Sequence, residues 1–183
     1  MNMKNIPNML TLLRLFLSLV VMVFLRNDEQ IHYEIACSIV ILAGITDYLD
    51  GFFARRYHVV SALGKFLDPL VDKIFVLTAL IMLVWLHRIA PEIVILLIAR
   101  EVLVTGIRAI ASSEGLVIAA GRSGKIKTVL QMVGVGALIL DDIYFGLDTH
   151  IVGIVCIGIS LYFSIISAIE YISAYLQVRV SHT

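Results

Sequence analysis

Residues 47–72 read DYLDGFFARRYHVVSALGKFLDPLVD. Four aspartates mark this stretch: Asp47, Asp50, Asp68 and Asp72. On a helix, positions three or four apart share a face. Asp47 and Asp50 therefore project together from the end of one helix, and Asp68 and Asp72 from the start of the next. A short connection over 56–63 folds the two into an antiparallel hairpin in which all four carboxylates converge. Such a group repels itself unless some members are protonated or cations compensate them. Ligands that are all carboxylate fit Mg2+ or Mn2+ better than zinc. Four of them carry charge for two divalent ions, an arrangement suited to phosphoryl displacement. Gly51 and Ala54 leave the helix surface beside Asp50 open, and Arg55 offers a planar fork for phosphate oxygens. The alternative, on the residues alone, is a set of structural ion pairs such as Asp47 with Arg55. Pro69 deprives the Lys65 carbonyl of its helical donor and predicts a bend in the third helix.

The surroundings of this stretch are apolar. The chain of 183 residues is 60% hydrophobic and only 15% charged, with mean hydropathy +0.99. Apolar segments lie near 9–25, 33–55, 66–86, 91–112, 125–146 and 149–177, each close to the roughly 20 residues that a helix needs to cross a bilayer. The expected fold is an all-α integral membrane protein with six transmembrane helices in a single domain, 1–183. The composition excludes a soluble enzyme, a secreted disulfide scaffold and a disordered chain. Lys+Arg and Asp+Glu balance at 14 each, so no basic field argues for nucleic acid. The first apolar segment resembles a signal peptide, but Arg14 interrupts it and Phe24-Leu25-Arg26-Asn27 offers no small-residue cleavage site, so a retained helix is expected. With the N-terminus inside, every Lys and Arg except Arg26 and Arg88 falls on the cytoplasmic side. This asymmetry orients both termini to the cytoplasm and puts the polar metal site at the cytoplasmic side.

The spacing Asp47-x2-Asp50-Gly51-x2-Ala54-Arg55-x8-Gly64-x3-Asp68-x3-Asp72 resembles the signature of the CDP-alcohol phosphatidyltransferase family, with all its fixed positions present. The likeness extends over nearly the whole chain and implies the CDP-alcohol phosphotransferase fold. It also implies the reaction: a CDP-linked lipid donates its phosphatidyl group to an alcohol, and CMP leaves. By this resemblance Asp47, Asp50, Asp68 and Asp72 hold two ions, Mg2+ or Mn2+, and Asp72 is also the general base. Asp50, Gly51, Ala54, Arg55, Ser61 and Gly64 contact the CDP moiety. Asn8, Thr11 and Arg14 recur at steps of three on the first helix and are similar to a family element that closes over the nucleotide. Homodimers are typical of the family, so a homodimer is expected.

The signature leaves the acceptor open. Arg100 and Arg108 on the fourth helix, with Arg122, Lys125 and Lys127 beyond it, gather basic groups suited to a dianionic phosphate. Glu101 lies within about 20° of Arg108 on a helical wheel and is expected to pair with an arginine. The stretches 99–108, 124–132 and 5–14 resemble those of bacterial family members that use sn-glycerol 3-phosphate, which implies CDP-diacylglycerol as donor, phosphatidylglycerol phosphate as product and the bacterial cytoplasmic membrane as location. Arg108 and Lys125 are the leading candidates for the acceptor's phosphate, followed by Arg100 and Lys127. Inositol phosphate, serine and phosphatidylglycerol are the rival acceptors. A divalent-cation transporter is the alternative of a different class, but it would place its acids near the midplane, often with an internal repeat. Cys37 and Cys156 read as small buried hydrophobes, Trp85 as an interfacial anchor, and Gly134, Gly136, Gly153 and Gly158 as points of close helix approach. The five histidines are scattered over loops and helix ends.

Overall fold

The computed structural model describes the backbone of residues 6–27, 29–57, 62–114 and 122–182, with side chains over 12–27, 29–46, 71, 73–114 and 124–177. Six helices follow one another: α1 (Ile6–Leu25), α2 (Gln30–Tyr57), α3 (Ala62–Trp85), α4 (Pro91–Ser113), α5 (Arg122–Leu140) and α6 (Thr149–His182). Each corresponds to one apolar segment of the sequence. The second and third helices run beyond the expected bounds toward their shared connection, and α3 stays one continuous helix through Pro69. Pro91 opens α4 at its first turn, where its missing N–H has no helical partner to lose. The helix α1 packs against both α2 and α3, while α5 and α6 form the most extensive helix pair.

The interior is largely apolar, but it also holds polar groups, and the outer surface is apolar as well. Arg14, Ser18, Lys127, Gln131, Ser160 and Ser164 are buried. Leu12, Phe16, Leu19 and Val23 expose one stripe of α1, and Ile151, Val155, Tyr162 and Ile169 do the same along α6. Among the described residues α6 is long and apolar enough to cross a membrane, over the 29 residues Thr149–Gln177, and Leu12–Leu25, Gln30–Thr46 and Lys73–Trp85 are shorter apolar stretches.

One end of the bundle is tied together by Arg88, in the connection from α3 to α4. Its Nε stands 2.9 Å from Asp141 Oδ2, and its Nη1 donates to the carbonyls of Ile139 at 2.5 Å and Leu138 at 3.3 Å. Its guanidinium lies 4.0 Å from the ring centre of Tyr33 on α2. His32 faces the Phe24 ring at the end of α1, and Asp141 also meets His150 Nδ1 at 2.6 Å. The C-terminal ends of α1, α3 and α5 and the N-terminal ends of α2, α4 and α6 therefore share this end, and the helices alternate up and down.

The expectation of a fifth helix reaching residue 146 is overturned here. The helix stops at Leu140, and Asp141 follows with φ 48, a left-handed conformation that an α-helix cannot continue through. Next comes an antiparallel ribbon, β1 (Ile143–Tyr144) and β2 (Leu147–Asp148). Phe145 and Gly146 turn it, both at positive φ, as tight two-residue hairpins require. The paired acids and the glycine at 146 are the turn signals; the apolar Ile143, Tyr144, Phe145 and Leu147 around that glycine mimic a helix. Asp148 Oδ1 accepts the Ile151 N–H at 3.1 Å and so caps α6. Tyr144 donates its hydroxyl to Glu34 Oε1 at 2.6 Å, docking the ribbon on α2. That hydrogen bond to the Glu34 carboxylate holds the phenol above its ordinary pKa.

Of the four glycines expected at close approaches, two make them. A Cβ at Gly153 would sit 2.6 Å from Leu138 Cγ and 3.0 Å from the Leu138 backbone nitrogen, and one at Gly134 would sit 2.8 Å from Ile157 Cγ1. Gly136 is in ordinary contact distance of Cys37, and Gly158 faces open space. Cys37 is buried as expected, whereas Cys156 is half-buried. Gly153→Ala should force α5 and α6 apart and destabilise the chain by about 1–3 kcal/mol, whereas Gly158→Ala, with open space around it, should raise stability by up to about 1 kcal/mol. Thermal unfolding of the two variants in detergent checks the contrast.

Candidate active site

The signature is split between two helices. The last three turns of α2 carry Asp47, Asp50, Gly51, Ala54 and Arg55, and the first three turns of α3 carry Gly64, Asp68 and Asp72. Because α2 ends and α3 begins away from the Arg88 network, both segments belong to the opposite end of the bundle. The side chains of these residues, and of Asn8 and Thr11 on α1, lie outside the described residues, as does Ser61 altogether. Arg14 is described: it is 6% exposed, on the helix that packs against both α2 and α3.

Of the four candidates for the acceptor's phosphate, the structure brings Arg100 and Lys127 together. Both meet the carboxylate of Glu101: Arg100 Nη1 donates to Oε2 at 3.0 Å, and Lys127 Nζ donates to the same oxygen. Glu101 thus pairs with an arginine, as expected, but with its own sequence neighbour and with lysine as well. Arg100 also reaches α6, its Nε donating to the Ser164 carbonyl at 2.8 Å. The Ser160 hydroxyl, fully buried, donates to the Lys127 carbonyl at 3.2 Å.

A third cation, not singled out from the sequence, joins them. Lys73 Nζ from α3 lies 3.6 Å from Glu101 Oε1 and donates to Thr105 Oγ1. The Thr105 hydroxyl in turn donates to the Glu101 carbonyl at 2.6 Å. An intrahelical lysine is itself a signal, since a charge inside an apolar span needs a partner or a purpose. Its partner lies on another helix, however, and spacing along the chain does not reveal it.

The other two candidates stand apart from this group. Arg108 is exposed, two turns along α4 from Glu101, with its guanidinium 5.5 Å from the ring centre of Tyr171 on α6. Tyr171 is buried against Val104 and Ala168, so the arginine rests on a fixed platform. Lys125 is exposed one turn from the start of α5. The site therefore has a half-buried cationic centre between α3, α4 and α5 and exposed basic groups nearer the helix ends.

The sequence profile of the CDP-alcohol phosphatidyltransferase family matches residues 4–171, and the chain belongs to that family. It is similar to the CDP-diacylglycerol–glycerol-3-phosphate 3-phosphatidyltransferase of Bacillus subtilis, 37% identical over 183 aligned residues that cover 93% of this chain and 95% of that one. The protein of the same name from Rickettsia typhi is 33% identical, with 94% and 97% covered. A probable phosphatidylglycerophosphate synthase from Mycobacterium tuberculosis is 32% identical, with 94% and 82% covered. Enzymes of this family use divalent metal ions.

Proposed function

We propose that this chain transfers the phosphatidyl group of CDP-diacylglycerol to sn-glycerol 3-phosphate, giving phosphatidylglycerol phosphate and CMP. The relatives' names support the donor and the acceptor. The observation that favours a phosphorylated acceptor is the largely buried gathering of Lys73, Arg100 and Lys127, since cations inside an apolar bundle call for an anionic ligand. A serine acceptor would bring no net charge to them.

The enzyme is read as a single multi-pass domain of the bacterial cytoplasmic membrane, with six crossings, both termini cytoplasmic and a homodimeric assembly. The apolar outward stripes of α1 and α6 support lipid contact, because a water-facing monomer rarely keeps such surfaces. The up-and-down order of the helices and the concentration of Lys and Arg away from Arg88 support the orientation.

The donor set fits hard divalent ions. Asp47, Asp50, Asp68 and Asp72 offer carboxylate oxygen alone, and they stand on helical segments at spacings that keep each pair on one face. Bound there, two Mg2+ or Mn2+ ions would neutralise the pyrophosphate and stabilise charge developing on its oxygens. Asn8, Thr11 and Arg14 on α1, with Gly51, Ala54, Arg55, Ser61 and Gly64, hold the CDP moiety. Arg108, Lys125, Arg100 and Lys127 draw the acceptor's phosphate and so fix where its free hydroxyl lies. The hydroxyl oxygen bonds to the β-phosphorus as the bond from that phosphorus to the bridging oxygen breaks. CMP leaves with the electron pair, and the hydroxyl proton passes to the Asp72 carboxylate.

The test is CMP release by the purified protein in detergent with CDP-diacylglycerol and Mg2+, in parallel reactions with glycerol 3-phosphate, inositol phosphate, serine and phosphatidylglycerol. The expected result is release with glycerol 3-phosphate alone, abolished by a chelator and restored by excess Mg2+ or Mn2+. Release with a different alcohol overturns the acceptor and leaves the chemistry standing. No release with any of the four overturns the function.

A further inference from the structure

Along α5, Lys127, Gln131, Val135 and Leu138 are all buried and recur at steps of four, four and three, so they form its inward face. Lys127 has a place in the reaction, and Val135 and Leu138 belong to the apolar core; Gln131 has neither role. It is 9% exposed, yet its carboxamide makes no hydrogen bond among the described residues. Neither of its polar atoms is sealed off, so the small accessible part of the residue includes the amide. An amide inside an apolar bundle is unfavourable unless it is paired, and a leucine or methionine here would simply continue the apolar stripe. The group calls for a partner that the described residues do not supply.

Its neighbours locate that partner. Met132, the next residue, packs beside Gly44 on α2, and Gly136 packs beside Cys37. The two helices therefore run antiparallel, with Gln131 about level with Gly44. Asp47 lies three residues further along α2, about one helical turn from that level. Lys127 lies one turn of α5 in the same direction, about 6 Å away along the axis. Lys127 shares the Glu101 carboxylate with Lys73, which follows Asp72 directly on α3. Gln131 thus stands at the inner end of the site, one turn beyond the level where Lys127 and the α2 and α3 segments of the signature meet.

The chemistry of the side chain narrows the ligand. A carboxamide both donates and accepts hydrogen bonds, and so does a hydroxyl, whereas an ionised phosphate oxygen only accepts and an ammonium only donates. In sn-glycerol 3-phosphate one hydroxyl attacks the donor and the other is left over, on the carbon between the attacking end and the phosphate. The three-carbon frame spans roughly 6 Å, close to the axial step from Lys127 to Gln131. A phosphate beside Lys127 brings the middle hydroxyl within reach of a side chain one turn away.

We propose that Gln131 hydrogen-bonds the secondary hydroxyl of the acceptor, and so selects a glycerol over a simpler three-carbon alcohol and leaves the primary hydroxyl to attack. This rests on the reading of the chain as a phosphatidyltransferase with glycerol 3-phosphate as acceptor. The experiment offers the full chain in detergent two acceptors, glycerol 3-phosphate and 3-hydroxypropyl phosphate, which matches it in length and charge but lacks the secondary hydroxyl. In the wild type, kcat/KM for CMP release should favour glycerol 3-phosphate at least about tenfold, because the analogue leaves a buried amide unpaired. In Gln131→Leu the preference should fall to within about twofold, with the loss on the side of glycerol 3-phosphate and the KM for CDP-diacylglycerol unchanged. The thermal midpoint of Gln131→Leu without substrate should equal or exceed that of the wild type, since an unpaired amide gives way to an apolar group of similar size. Gln131→Met repeats both readouts with an unbranched side chain.

A lowered midpoint in both variants would make the amide a structural partner and overturn the proposal. So would a preference that survives in Gln131→Leu, a wild type that shows none, or a KM for CDP-diacylglycerol that rises together with the acceptor's. If no acceptor supports CMP release, the reaction reading fails and binding decides. Greater thermal stabilisation of the wild type by glycerol 3-phosphate than by the analogue, lost in Gln131→Leu, then still supports the hydroxyl contact; equal stabilisation, or none, overturns it.

Discussion

Replacing Asp72 by Asn should cut CMP release by about 10²–10⁴-fold, the range for loss of a positioned general base, while CDP-diacylglycerol still binds. Asn keeps the size and the hydrogen-bonding oxygen of the side chain but cannot take the acceptor's proton. The other carboxylates of the signature, Asp47, Asp50 and Asp68, would still hold divalent ions against the donor's pyrophosphate. Single-turnover kinetics with a separate measurement of donor binding checks this. Turnover close to wild type would remove Asp72 from the base role and transfer the proton to another group. A loss of donor binding as large as the loss of turnover would make Asp72 chiefly a binding carboxylate.

At the other end of the bundle, Arg88→Met should lower stability by about 3 kcal/mol, the lower part of the range for breaking a buried ion pair, because Asp141 is 28% exposed and partly screened. The arginine itself is 11% exposed. Its removal strips Asp141 of its main partner, leaves the Leu138 and Ile139 carbonyls at the end of α5 without their donor, and forfeits the contact with the Tyr33 ring. For a chain of this size the midpoint should fall by about 10 °C, read by thermal unfolding in detergent. Arg88→Lys should be intermediate, since an ammonium keeps the charge but not the fork that serves a carboxylate and two carbonyls at once. An unchanged midpoint would mean that the end of the bundle is held by apolar packing alone.

Much of the architecture was legible along the chain. Each helix follows from an apolar run, because a run of that length has to bury its backbone hydrogen bonds within itself. The start of α4 was marked by Pro91, and the split of the signature between two helices followed from the spacing of its aspartates. The end of α5 was not legible: Ile143, Tyr144, Phe145 and Leu147 are apolar enough to continue a helix, and only the left-handed turn at Asp141 and the pairing of Ile143 with Asp148 make them a ribbon.

The family was legible as well, since the spacing of eight signature residues is a local property of two helix ends, and the profile match over residues 4–171 agrees with it. The partners of the charged side chains were not. In the sequence Arg88 was an ordinary outside cation and Lys73 an intrahelical charge counted only toward orientation. The structure makes the first the tie between the ends of α2, α3, α4 and α5 and the second a member of a centre shared with α4 and α5. Gly153 and Gly158 look alike in the sequence, yet one touches Leu138 and the other touches nothing within 4 Å. Periodicity along one helix specifies which residues share its face, but the rotation and axial offset of one helix against another are set by how all the side chains pack. The sequence by itself determined the helices, the family and the carboxylate signature; tertiary packing decided that three cations from α3, α4 and α5 share the single carboxylate of Glu101.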